Sequence, residues 1–270
     1  MAILQKPAFQ AGILNGEITE PYQSIYEDST TQNWMLGTKL EFPTQGRVFR
    51  YAKAGGSPLV QARMNQSGVT ATTYYTAIVQ DGYPRTVGDK DITVLVTTGA
   101  IAGTATGYAE NAFSGGWLNC NKVSPAVLGD IYYILASKMV DETHIDLKLA
   151  TPWRNTMLAT GEVTLTCSKF YGSLVFAAYD ATAPANGVAL CPVAANEFYW
   201  SQTKGPAPLL VDGSETYDIG CMISCPVTLG TAGDAGHHEL TTAEVLRQPW
   251  GVCMEIATDG EPGLVDLILE

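Results

Sequence analysis

The chain has 270 residues, 46% of them hydrophobic and only 16% charged, with a formal net charge of -12 and a pI near 4.6. That acidity argues against nucleic acid, whose phosphates need a surplus of Lys and Arg, and no apolar run approaches the roughly 18 residues of a membrane-crossing helix. The length suffices for a sizeable core, in one large β domain or two smaller ones.

Charge is uneven. Residues 1–60 hold five basic and five acidic residues, so the whole deficit falls on residues 61–270. Met1–Pro7 lacks the basic start and apolar core of a signal peptide, so synthesis in a cytoplasm and six reduced cysteines are expected.

In chain order, residues 1–36 show no sustained period, and Pro7, Gly12, Gly16 and Pro21 interrupt them. They read as an extended arm that orders against something else. Leu36, Thr38, Leu40 and Phe42 then alternate, Pro43–Gly46 forms a turn, and Arg47–Ala52 returns, so residues 35–52 predict a β-hairpin. Ser57 as N-cap and Pro58 at the first position predict a short helix over 57–67. Beyond it come short strand candidates. These are 74–80, 91–97, 116–120, 131–136, 144–150, 163–168, 174–178, 187–193, 198–203, 207–210, 217–225, 250–256 and 264–269. Thr241–Arg247 is the best remaining helix, ended by Pro249. The spacing, with turn residues between, is that of a sandwich or barrel. The expected fold is therefore all-β: an extended N-terminal arm and β-hairpin, then a β-barrel or β-sandwich body with few short helices. The expected division is an arm and basic hairpin at 1–63 and a β-rich body at 64–270, in one or two subdomains.

Chemistry-bearing motifs are scarce. No Gly-rich phosphate loop follows a strand. Asp141, Glu142 and His144 share a polar turn without a nucleophile setting, and His237-His238 lies in a Gly-rich segment. Cys221-x-x-x-Cys225 matches no zinc pattern. No catalytic residue, cofactor or metal is expected, and the chain does not read as an enzyme.

Several pieces, in order, carry a resemblance. They are Leu36-Gly37-Thr38, Gly46-Arg47-Val48-Phe49-Arg50-Tyr51-Ala52-Lys53-Ala54-Gly55-Gly56, Gly115-Gly116-Trp117-Leu118, Tyr199-Trp200-x-Gln202-Thr203-x-Gly205-Pro206, Gly251-Val252 and Val265–Leu269. The set resembles a family of tailed-bacteriophage capsid decoration (cement-like) or auxiliary head proteins, encoded beside the major capsid protein. The segment from about Val69 to Gly107 departs most from the pattern. The resemblance implies a non-catalytic virion protein that binds the outside of a capsid and stabilises or decorates it. The major capsid protein would be its partner, a homotrimer or other homo-oligomer its assembly, and the capsid surface its location, without nucleic acid or membrane.

The residues themselves nominate a contact. From Arg47 to Arg63 there are four basic residues and no acidic one. Arg47, Arg50, Lys53 and Arg63 are the expected charged contacts with a capsid, and Phe49 and Tyr51 the expected packing part. Alternation puts Arg47, Phe49 and Tyr51 on one face and Val48, Arg50 and Ala52 on the other. The alternatives are a solvated hairpin whose arginines pair with the body's own carboxylates and, at another site, a glycan-binding head fibre or receptor-binding module using Tyr199 and Trp200.

Overall fold

The computed structural model describes residues 12–14, 17–19, 23–68, 76–79, 87–96, 110–122, 129–141, 144–154, 162–176, 183–212, 218–225, 234–237 and 248–270. The protein is all-β: strands take up 50% of it, and no α-helix occurs among the described residues. The chain divides into two compact units. One, the flanking unit, is made from residues 1–68 and 170–270; the other, residues 69–169, is inserted into it. The contacts therefore divide the chain elsewhere than at residue 63.

The flanking unit begins with β1 (Gly12–Leu14), β2 (Glu17–Thr19), β3 (Lys39–Phe42), β4 (Arg47–Lys53) and β5 (Met64–Gln66). The inserted unit supplies β6 (Thr76–Val79), β7 (Asp91–Val96), β8 (Trp117–Lys122), β9 (Ile131–Met139), β10 (His144–Leu149) and β11 (Glu162–Thr166). The flanking unit resumes with β12 (Leu174–Val175), β13 (Ala185–Ala189), β14 (Phe198–Leu210), β15 (Met222–Ser224), β16 (Gly236–His237), β17 (Gly251–Glu255) and β18 (Pro262–Ile268).

In the flanking unit one sheet runs β16-β15-β17-β18-β14-β4-β3-β1-β2, and β13 joins β14 to β5 and β12. Its axis is β14, thirteen residues long. Three apolar clusters lie along it. Phe198 and Trp200 pack with Leu40, Phe42, Phe49 and Tyr51. Tyr199, on the opposite face, packs with Ala52, Leu59 and Phe170. Ala207 and Leu209 pack with Trp250, Phe176 and Val265. Strand β14 passes closest to the β3–β4 turn at Gly205, where φ is +81° and a Cβ would overlap the Gly46 carbonyl.

The predicted hairpin is present. Lys39 pairs with Arg50, Leu40 with Phe49 and Phe42 with Arg47, around a single 3-10 turn at Pro43–Gln45. The N-terminal expectation is corrected. Residues 23–38 order against the flanking unit itself, and β1 pairs with both β2 and β3. Gln23 shows why: its amide donates to the Phe198 carbonyl at 2.9 Å, and its Oε1 accepts from the Tyr51 hydroxyl at 2.7 Å. Residues 1–11 lie outside the described set.

The helix expected at 57–67 is absent. Leu59 exchanges backbone hydrogen bonds with Val193, Ala62 takes φ +60°, and Met64–Gln66 forms a strand. Burial of Met64, Asn65 and Gln66 against β12 and β13 overrides a weak local cap signal. The helix expected at 241–247 lies outside the described residues.

The inserted unit is a closed antiparallel barrel, β10-β7-β6-β11-β8-β9. Alternation, broken by a register shift in β9, builds it: Tyr132, Ile134, Ile145, Leu147, Leu149, Leu118, Val163 and Leu165 are buried. Tyr132 stacks on Trp153 at 4.6 Å between ring centroids, within the unit's core. All six cysteines are free thiols. Burial pushes Cys120 and Cys167 up to about 12 and, with Asp28 and Glu27 nearby, Cys191 to about 11.

Candidate functional site

Strand β4 presents the charged candidates, and the protein itself holds most of them. Arg47 lies 4.9 Å above the Phe49 ring and donates from Nη2 and Nε to Gln202 Oε1, at 2.8 and 3.3 Å. Arg50, on the other face, grips Glu270 with two hydrogen bonds, Nε to Oε1 at 2.9 Å and Nη2 to Oε2 at 2.6 Å. Its Nη1 donates to the Gly37 carbonyl at 3.0 Å. Lys53 sits over the rings of Phe198 and Tyr171, at 5.2 and 5.6 Å. Of the alternative, a solvated hairpin whose arginines pair with the body's own carboxylates, only the Arg50–Glu270 pair is present: Arg47 bonds an amide oxygen, and Phe49 and Tyr51 of the hairpin are buried. Arg47 and Lys53 keep half-buried side chains at the two ends of the strand.

The aromatic candidates are corrected. Phe49 and Tyr51 are each 0% exposed, so neither can be the packing part of a surface contact. Tyr51 hydrogen-bonds Gln23, and burial raises its hydroxyl pKa, partly offset by the Asn33 amide that donates to it. Tyr199 and Trp200 are each 1% exposed, so neither face is open to a sugar ring. Burial pushes Tyr199 up to about 12, against the lowering effect of Ser173, Ser201 and Asn65 beside it. Strand alternation put Phe49 and Tyr51 on one face of β4; it could not show that both faces of β4 and β14 are covered.

Arg63 lies ten residues beyond the end of β4 and has its own partner. Its Nε is 3.1 Å from Asp234 Oδ1, an ion pair outside hydrogen-bond geometry. Asp234 is 4% exposed. Burial raises its carboxyl to about 6 from 3.8; Arg63 opposes the shift, while Asp212 and Asp259 add to it. The folded state therefore binds this proton more tightly than the unfolded chain does. Its stability rises as pH falls through about 6 towards 4, and the contribution is lost above 6. Between pH 7.5 and 5.5 the flanking unit should gain at most about 0.8 kcal/mol from this group, with the larger part of the gain following between pH 5.5 and 4. In Asp234→Asn that share of the pH slope should vanish in urea titrations.

The Arg50–Glu270 pair is well formed but a quarter exposed, with 28% and 23% of the side chains accessible. Arg50→Met should cost about 1 kcal/mol by thermal unfolding, less in high salt.

Two features escaped the sequence reading. Trp117, within a motif read only for order, is 44% exposed on the barrel. A cleft of about 430 Å³ opens between β7, β9, β10 and residues 110–111 of the same unit. Alternation had marked Ile131–Ala136 as a strand, but it cannot tell the face that lines a cleft from one that meets only water. Asp141 and His144 form an exposed turn pair, with His144 Nδ1 2.8 Å from Asp141 Oδ2. Among the described residues no group of three or more His, Cys, Asp or Glu could hold a metal ion, and no helix is long and apolar enough to cross a membrane.

Models of known protein families do not match this chain, and neither a curated protein nor a solved structure matches it.

Proposed function

We propose that this chain is a non-catalytic virion protein that binds the outer surface of a bacteriophage capsid through the major capsid protein. One observation supports the reading above the rest. The pieces that carry the resemblance are scattered from residue 36 to residue 269, yet four of them fall on the neighbouring strands β4, β14, β18 and β17. A shared sheet gives those distant pieces one structural reason to occur together. The acidic charge of the rest of the chain suits a surface that repels other anionic bodies. Its assembly would be a homotrimer or another closed homo-oligomer.

Attachment falls to Arg47 and Lys53, the half-buried cations of β4 that the Glu270 carboxylate does not hold, and to residues 1–11. The test is quantitative mass spectrometry of purified particles, scored as the ratio of this chain to the major capsid protein. A ratio on the scale of the capsid lattice is expected; absence, or a few copies per particle, overturns the proposal. Decoration should weaken when Arg47 and Lys53 are changed together to Ser, or when residues 1–11 are removed. Truncation further along the chain would remove Gln23 and its bonds to Tyr51 and Phe198, and so confound attachment with folding.

A further inference from the structure

Across β11, β8 and β9 of the barrel, Thr166, Trp117 and Tyr133 are cross-strand neighbours and so share one face. The next row on that face is Thr164, Asn119 and Ile131. Trp117 and Tyr133 meet edge to face, with centroids 5.1 Å apart and planes at 69°. Trp117 is 44% and Ile131 52% exposed. Buried residues alternate with Tyr133 and Ile131 along β9, so this face is the barrel's outside; Thr164 on it is covered, at 5% exposed.

The same strand continues into the cleft. The β9–β10 register slips at Leu149, so Leu135 is an extra residue and the outward positions run on as Ala136 and Lys138. Thr93, Asp91, Glu110, Asp146 and Lys148 add polar and charged groups to the lining, beside Asn111 and Ser137, and Thr93 Oγ1 donates to Asp146 Oδ1 at 2.6 Å. Tyr133 and Lys138 are five residues apart, and with Leu135 bulged the distance along the strand is about 13 Å at the usual rise. An aromatic platform and a polar cleft therefore lie in line.

We propose that this face of the barrel binds a short oligosaccharide, with one sugar ring stacked on the Trp117–Tyr133 pair and the following rings hydrogen-bonded in the cleft beside β9. Each class of group fits that occupant. An aromatic ring takes the C–H face of a pyranose, and the apolar side chain of Ile131 extends the same surface. Hydroxyl groups both donate and accept, and the cleft offers carboxylates as acceptors beside lysine ammoniums as donors. The mixture disfavours other occupants. Carboxylates outnumber ammoniums, which speaks against a phosphate or nucleic-acid ligand. The centre of a protein–protein interface is depleted in Lys, Asp and Glu. A lipid or apolar ligand would strand the charges. The volume of about 430 Å³ lies in the range of small-molecule sites.

The inference is independent of capsid binding, because it uses only the inserted unit. The test is isothermal titration of the whole chain with two neutral probes, the hexamer of N-acetylglucosamine and maltohexaose, followed in parallel by tryptophan fluorescence. Binding of at least one probe is expected, with a change in fluorescence. Trp117→Ala should weaken it at least tenfold, and Asp146→Asn severalfold. Ile219→Ala, at an exposed position in the flanking unit, should leave it unchanged. Trp117 is 44% exposed and lies outside the barrel core, so its replacement should fold, which circular dichroism and the barrel's hydrogen-exchange protection would verify. Two results overturn the proposal: no heat and no fluorescence change with either hexamer at millimolar concentration, or binding that survives Trp117→Ala undiminished.

Discussion

Trp200→Ala should destabilise the flanking unit by about 3–5 kcal/mol, the range for emptying a fully buried large aromatic. Trp200 is 1% exposed and packs edge to face on Tyr51, with centroids 5.0 Å apart. Tyr51 in turn stacks on Phe198 at 6.0 Å. The indole N–H donates to the Gln23 carbonyl at 3.1 Å, so the truncation also leaves a buried acceptor without its donor. One substitution thus loosens the join between β4, β14 and the segment that begins at residue 23. Hydrogen exchange should rise sharply in peptides covering 39–53 and 198–210. Peptides covering 131–149, in the inserted unit, should stay protected. If protection at 39–53 is unchanged, the three-ring cluster is not what holds these strands. If 131–149 loses protection equally, the two units do not unfold separately.

Replacing residues 69–169 with a short Gly/Ser linker should leave the flanking unit folded, its stability within about 1–2 kcal/mol of the parent by denaturant titration. The flanking strands lie wholly outside the excised segment. The ends already meet: a Cβ on Gly68 would overlap the Gly172 carbonyl, and the Ser67 amide donates to Pro184 O at 2.9 Å. The barrel transition should disappear, while exchange protection in β4 and β14 remains. An insoluble or unprotected product would mean that the flanking sheet depends on the barrel.

Much of the strand content was legible because alternation and turn residues are local. Leu40 and Phe42 before Pro43, and Phe49 and Tyr51 after Gly46, specify a hairpin wherever it sits. The insertion was not legible. Strands of the barrel and of the flanking sheet carry the same period, and nothing in the residues near Gly68 announces that the chain leaves one sheet and returns to it at Phe170. Strand β14 was read as two pieces because Lys204-Gly205-Pro206 looks like a break. Gly205 instead bends a continuous strand, and Pro206 keeps its place opposite Asp266. The candidate site failed for a related reason. Charge counting found Arg47, Arg50 and Lys53 but could not see Gln202, Glu270 and Phe198, which lie far along the chain and neutralise or cover them. Phe49, Tyr51, Tyr199 and Trp200 read equally well as surface or core, because a central strand buried on both faces has no polar side to give it away.

The pairing of Lys53 with Phe198 sets the order of events on the ribosome. When β4 leaves the exit tunnel, its neighbour β14 has not been synthesised. The barrel follows and can close from contiguous residues, since its strands seek no partner beyond residue 169. Throughout that interval Phe49 and Tyr51 wait without the rings that later cover them, on a strand with one side of its backbone unpaired. Non-local pairing of this kind is slow, and the exposed edge invites association between nascent chains. Translation past residue 210 ends that exposure, so yield in a producing cell should depend on elongation speed and on holdase chaperones more steeply than for a protein whose hairpins close with their immediate neighbours.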